Sequence, residues 1–111
     1  MSEYIAPIRD MRFVLKELAG VEQVAQLPGC EEATLDLVDA VLEEAARFAQ
    51  EVLSPLNWPG DQEGARWHDK AVTMPAGFKE AYKLFADSGW TALASEPEWG
   101  GQGLPKVVAA A

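Results

Sequence analysis

Between residues 31 and 53 apolar side chains recur at alternating steps of three and four: Leu35, Val38, Leu42, Ala45, Ala49 and Val52. Such spacing returns to one face of a 3.6-residue turn and predicts an amphipathic helix, its stripe widened by Leu37, Val41 and Phe48. The other positions hold Glu31, Glu32, Asp36, Asp39, Glu43, Glu44 and Glu51 against one base, Arg47. Glu31 and Glu32 are expected at the positive end of the helix dipole. Ser54-Pro55 should weaken this helix and Asn57-Trp58-Pro59-Gly60-Asp61 should end it. Residues 59–74 then read as an irregular connection, pinned to a core by Trp58 and Trp67.

A second helix is predicted over residues 76–88, introduced by Pro75 and stopped by Gly89. It should bury Phe78, Ala81, Tyr82, Phe85 and Ala86 and turn Lys79, Glu80, Lys83 and Asp87 outward. Near the start of the chain, Pro7 biases Ala6 away from helix, and Ile8, Met11, Leu15 and Leu18 share a face of a short helix. Gly20 is its expected left-handed terminator. Residues 21–27 offer one more helical turn, closed by Pro28-Gly29. Tyr4, Ile5, Phe13 and Val14 exceed what so short a helix buries and call for another surface. No strand set, internal repeat or low-complexity tract stands out, so an all-α fold is predicted.

The most specialised stretch is Glu96-Pro97-Glu98-Trp99-Gly100-Gly101-Gln102-Gly103-Leu104-Pro105. Three glycines within four residues predict a tight turn or a close backbone approach to a ligand. Pro97 favours an extended Glu96, and Pro105 suits the first turn of a helix over residues 106–111. That helix has no cap or polar close, which suggests truncation. The glycines match neither a dinucleotide fingerprint nor a Walker loop, so phosphate binding by this loop alone is not expected.

Charge and composition then narrow the function. The chain has 111 residues, 49% of them hydrophobic, enough for one modest core. A net charge of -9 argues against nucleic acid or an anionic membrane as partner. No apolar run approaches the roughly 20 residues of a membrane span. A lone cysteine, Cys30, and the absence of a charged-then-apolar leader make a reducing cytoplasm the expected location.

Candidate chemistry is sparse. The carboxylates on the long helix read as a solvated face, since a metal site would want His or Cys converging with them. Asp61, Glu63 and Asp69 lack the ligand alternation and closing glutamate of a calcium loop. His68 is expected to be exposed or bonded to backbone. Cys30 stands beside Glu31 and Glu32, which oppose thiolate formation, and reads as a structural thiol. No catalytic, cofactor-binding or metal-ligating residue is assigned.

A series of short motifs adds a family resemblance. Tyr4-x-Ala6-Pro7 with Asp10 and Phe13, Val52-Leu53-x-Pro55-Leu56, Gly60-Asp61-x-x-Gly64-Ala65, Val72-x-x-Pro75-x-Gly77-Phe78, Gly89-Trp90 and Pro97 to Pro105 occur in order. Together they resemble the N-terminal part of flavin-dependent acyl-CoA dehydrogenases, over essentially the whole chain. The nearest likeness is to the large bacterial branch of methylmercaptopropionyl-CoA dehydrogenase-like enzymes with a short N-terminal extension. The resemblance implies an extension with short helices over 1–29 and a partial N-terminal helical domain over 30–111. In this family a middle β domain and a C-terminal helical bundle follow and hold FAD between them. There a glutamate removes the α proton and the β hydrogen leaves as hydride.

Those groups lie downstream in the family, so this chain alone is expected to be inactive and not to bind FAD by itself. Acyl-CoA, the downstream domains and further copies of the full-length enzyme are the implied partners. The family's glycine loop lies near the acyl end of the substrate tunnel, which makes Glu98, Trp99, Gly100, Gly101 and Gln102 the candidate substrate contacts. Only Trp99 stands between Glu98 and Gly100-Gly101 where the commoner form has two residues, and a purely structural turn fits the loop as well. The alternatives are a free-standing acidic helical interaction module and a small acyl-CoA carrier. The carrier is weakened by the lack of a Lys, Arg or Tyr cluster for the CoA phosphates.

Overall fold

The computed structural model describes residues 3–111. The first helix, α1 (Ile8–Phe13), runs on as a π turn over Val14–Leu18, where the Ala19 N–H bonds the Val14 carbonyl at 2.8 Å. Gly20 then takes the left-handed conformation foreseen for it, φ 65°, and starts the short helix α2 (Val21–Val24). Ile8, Met11 and Leu15 reach the core, but Leu18 stays exposed. The wider π turn breaks the three-and-four spacing that would have kept it on the buried face.

The long helix differs from expectation at both ends. It begins at Leu35, not Glu31, because Thr34 adopts extended geometry and its Oγ1 accepts the Leu37 N–H at 3.3 Å. Asp36, not Glu31 or Glu32, occupies the acidic first turn. After α3 (Leu35–Phe48) comes a π turn, Ala49–Leu53, and then α4 (Ser54–Glu63), which passes straight through Pro59. Pro55 and Pro59 have no N–H, so the carbonyls four residues before them lose their helical donors. The π turn widens the helix next to Pro55, and packing holds the remainder in place. Gly60 is buried under the Phe78 ring, Gly77 lies against Leu56, and Glu63 Oε2 accepts the Ala76 N–H at 3.1 Å. Gly64, φ 70°, ends the helix.

The connection expected to be irregular therefore contains the end of α4 and a β-hairpin, β1 (Arg66–His68) against β2 (Ala71–Thr73). The pairing is antiparallel, Arg66 with Thr73, Trp67 with Val72 and His68 with Ala71. Its two-residue turn puts Asp69 at φ 47° and Lys70 at φ 63°, the primed geometry that matches strand twist. Trp67 is 72% and Trp58 50% exposed, so neither pins this region to a core. Helix α5 (Phe78–Asp87) starts after the left-handed Gly77 and ends at Gly89, φ 84°. Ala81 is buried and Phe78, Phe85 and Ala86 are half-buried, whereas Tyr82, expected inside, is 68% exposed. Phe85 meets Phe48 of α3 with ring centroids 5.9 Å apart. A 3-10 turn at Trp90–Ala92, a second at Pro97–Trp99 and helix α6 (Lys106–Ala110) complete the order.

Leu15, Val21, Val38, Leu42, Leu104 and Val108 form the core, with Met11, Leu35 and Leu93 packed around them. Arg12 clamps α1 onto α3 from outside, donating to Asp39 and to Glu43 at 2.6 Å each. Those two bonds, the Asp39 one first, raise its pKa above the ordinary arginine value. The molecule is a plate of 52 × 36 × 17 Å. Its 8200 Å² of accessible surface compares with roughly 6,000 Å² for a closed monomer of this mass. Tyr4, Ile5, Phe13 and Val14 remain exposed, in keeping with their need for another surface. No helix among the described residues is long and apolar enough to cross a membrane.

Two stability predictions follow from this packing. Truncating Leu104→Ala should cost about 2–5 kcal/mol, against less than about 0.5 kcal/mol for Tyr82→Ala, read from urea midpoints. Lys70→Gly relieves a left-handed lysine and should stabilise the hairpin by up to about 1 kcal/mol, seen as slower exchange of its cross-strand amides.

Candidate functional site

The glycine loop hangs from the end of α5. Glu96 is extended, φ -61° and ψ 140°, as Pro97 requires, and Pro97–Trp99 makes a single 3-10 turn. Gly100 at φ 85° and Gly103 at φ 65° supply the two left-handed positions that reverse the chain. Gly101 is needed for another reason: a Cβ there would overlap the Ser95 carbonyl.

Five consecutive N–H groups are tied back onto carbonyls of residues 92–97. Gly100 donates to Pro97 at 3.0 Å, Gly101 to Glu96 at 3.1 Å and Gln102 to Ala92 at 3.1 Å. Gly103 donates to Ser95 at 2.9 Å and Leu104 to Leu93 at 3.1 Å. A phosphate cradle needs such groups free and convergent, and here each is spent on a carbonyl. The loop is thus a closed, self-bonded turn, and it does not fit the phosphates of FAD or CoA. Leu104 leaves it directly into the core.

The five residues singled out by sequence fall into two groups. Glu98, Trp99 and Gly100 form the exposed tip, with Trp99 80% exposed. Gly101 is half-buried at the neck. Gln102 is exposed, with its Nε2 beside Gly89, and borders two clefts. One, about 430 Å³, lies between the loop and α3, with Val41, Phe48, Val52, Trp90 and Leu93 in its walls. The ion pair of Arg47 and Glu44, 2.8 Å long, stands at its edge. The other, about 650 Å³, lies between the loop and residues 28–33, with Cys30, Glu31, Glu32, Glu96 and Lys106 among its lining.

Sequence reasoning did not single out Trp90 and Leu93 as partners of Gln102. The Gly89-Trp90 pair was the available signal, because a left-handed glycine turns the following side chain off the helix axis. His68 is exposed on β1, and Asp61, Glu63 and Asp69 are divided between α4 and the hairpin turn. Among the described residues no three His, Cys, Asp or Glu side chains gather as a metal site would require.

Because residue 101 has backbone in the space of its missing Cβ, Gly101→Ala should open the loop. We expect amide exchange of residues 100–104 to accelerate by about tenfold or more while α3 is unchanged. Gly29→Ala, strained by its left-handed φ of 86° but with open space around it and no bond to the loop, should leave the loop's exchange rates as they are.

No protein-family model matches the chain. It is 46% identical over 108 residues to the 3-methylmercaptopropionyl-CoA dehydrogenase of Ruegeria pomeroyi. It is 26% identical over 110 residues to the broad-specificity linear acyl-CoA dehydrogenase FadE5 of Mycobacterium tuberculosis. Each match takes in 97% of this chain and 18% of the relative, so the chain spans less than a fifth of the length of these proteins. The homologues of this chain are acyl-CoA dehydrogenases, and its mostly helical structure is consistent with a short stretch of such an enzyme.

Proposed function

We propose that this chain is the N-terminal helical part of a flavin-dependent enzyme that introduces an α,β double bond into an acyl-CoA thioester. The observation that carries this reading is the 46% identity along 97% of the chain to a dehydrogenase of that kind. Residues 1–29 are the extension and 30–111 the partial helical domain of the parent enzyme. FAD, the catalytic base and the acyl-CoA phosphates belong to the rest of that enzyme, in keeping with a glycine loop whose N–H groups from Trp99 to Leu104 are all spent on its own carbonyls and those just before it. The parent acts as a soluble cytoplasmic homo-oligomer in acyl-CoA oxidation.

Within that enzyme the chain's contribution is shape. Glu98, Trp99 and Gly100 project from a rigid turn and contact the acyl end of the substrate, while Gly101 and Gln102, whose N–H groups are bonded to Glu96 and Ala92, hold the turn in place beside it. An exposed indole on a self-bonded loop suits this role, because its position costs little entropy to hold on binding. The unburied apolar side chains of α1 and α4 are then covered by the downstream domains.

The native polypeptide that carries this sequence should have several times the mass of 111 residues and a flavin absorption spectrum. A colourless protein of 111 residues would overturn the reading. In the flavin-containing enzyme, Trp99→Ala should lower kcat/KM for the preferred acyl-CoA by about tenfold, mainly through KM, and shift the preference among acyl lengths. Equal kinetics for the variant over all acyl lengths would make the loop a structural turn only.

A further inference from the structure

Both strands of the hairpin are exposed along their whole length, as are the residues beside them, 65–74 in all. Two strands of three residues are marginal in water unless something extends the sheet or covers a face. The register fixes where it can be extended. The turn bonds His68 to Ala71, so the alternation of an antiparallel ladder leaves Trp67 and Val72 as the pair without hydrogen bonds to each other. Their N–H and C=O groups therefore point outward, those of Trp67 along the edge of β1 and those of Val72 along the edge of β2. Neither residue makes a backbone hydrogen bond to another element among the described residues.

The two edges differ in charge. A second copy laid antiparallel on β1 about Trp67 would set Arg66 opposite the other copy's His68, a pair that repels once the imidazole carries a proton. The β2 edge holds only Ala71, Val72 and Thr73, with none of the charge, Pro or bulge that blunts an edge. A two-fold axis at Val72 pairs this residue with itself and Ala71 with the other copy's Thr73. Each Val72 then donates one hydrogen bond and accepts one. Trp67 and Val72 share a face, so the two copies join them in one apolar row across four strands. The Arg66 side chains stay on the outer strands, about 14 Å apart by strand spacing, beyond the screening length of about 8 Å. A net charge of -9 repels a second copy over most of the surface, but residues 65–74 hold Arg66, His68 and Lys70 against Asp69 alone.

We infer that β2 is a self-association edge, on which two copies of this chain join antiparallel about Val72 into a four-stranded sheet. An edge of three residues buries less than the about 1,200 Å² of stable interfaces, so the association is weak and depends on concentration. Nothing in this inference depends on the dehydrogenase reading.

Sedimentation equilibrium of the 111-residue chain should show a monomer at about 10 μM and a growing share of dimer above about 0.1 mM. Over the same range the Val72 amide should exchange about threefold or more slowly, with the Trp67 amide unchanged. In a Cys30→Ala background, mixing Ala71→Cys with Thr73→Cys should give disulfide-linked pairs, because these positions face each other as a close pair without hydrogen bonds. Either variant alone should link poorly, its cysteines being diagonal neighbours about 7–8 Å apart. A monomer at every concentration, or association that leaves the Val72 amide unslowed, would overturn the inference. So would a Val72 amide already protected at about 10 μM, which would mean that another segment of the same chain covers the edge. Equal linking by the single variants would overturn the register.

Discussion

The burial of Leu104 among Leu15, Val21, Val38, Leu42 and Val108 is the contact on which the rest of the plate depends. It brings residues from the π turn after α1, from α2 and α3, the glycine loop and α6 into one small cluster. A fully buried leucine contributes roughly 1.5–3 kcal/mol by transfer from water, a large share of what so few buried side chains provide. The same residue donates its N–H to Leu93, so the loop's last hydrogen bond and the core's central side chain belong to one position. Loosening either would loosen both.

A core of this size leaves much of the plate uncovered. Its thickness of 17 Å is less than two helix diameters, and the surface exceeds that of a closed monomer by about 2,000 Å². That excess is comparable to what one partner contributes to a large permanent interface. Exposed side chains such as Phe13, Leu18 and Leu53 show where the surplus lies. The acidic positions of α3 are a different matter: Asp39 and Glu43 are engaged by Arg12 and Glu44 by Arg47, so part of the negative face serves to hold α1 in place.

The glycine loop shows how one motif can be read two ways until its hydrogen bonds are known. Clustered glycines serve phosphate cradles because their N–H groups are free, and they serve tight turns because their backbone folds on itself. Here the second use prevails, since the chain reverses over Gly100 and Gly103 and ties each intervening N–H to residues 92–97. What the loop presents outward is therefore side chains, chiefly Trp99, and not backbone donors.

The sequence by itself determined the elements whose signals are local. The stripe from Leu35 to Val52, the glycine stops at Gly20 and Gly89, the extended Glu96 and the helix after Pro105 all follow from periodicity or from dihedral limits on single residues. The ordered motifs also pointed to the family. Tertiary structure decided what local rules oppose. Pro59 and Gly60 argue for a helix end, yet α4 continues because Gly60 lets the Phe78 ring sit on its backbone and Glu63 holds the Ala76 N–H. Asp69-Lys70 is a poor primed turn by residue type, yet the hairpin closes on it. Tyr82 and Leu18 carry the right spacing for burial and remain outside, one on a plate too thin to cover it, the other beyond a π turn. In each case the deciding energy comes from contacts between residues distant along the chain, or from their absence, and a periodic pattern carries no record of either.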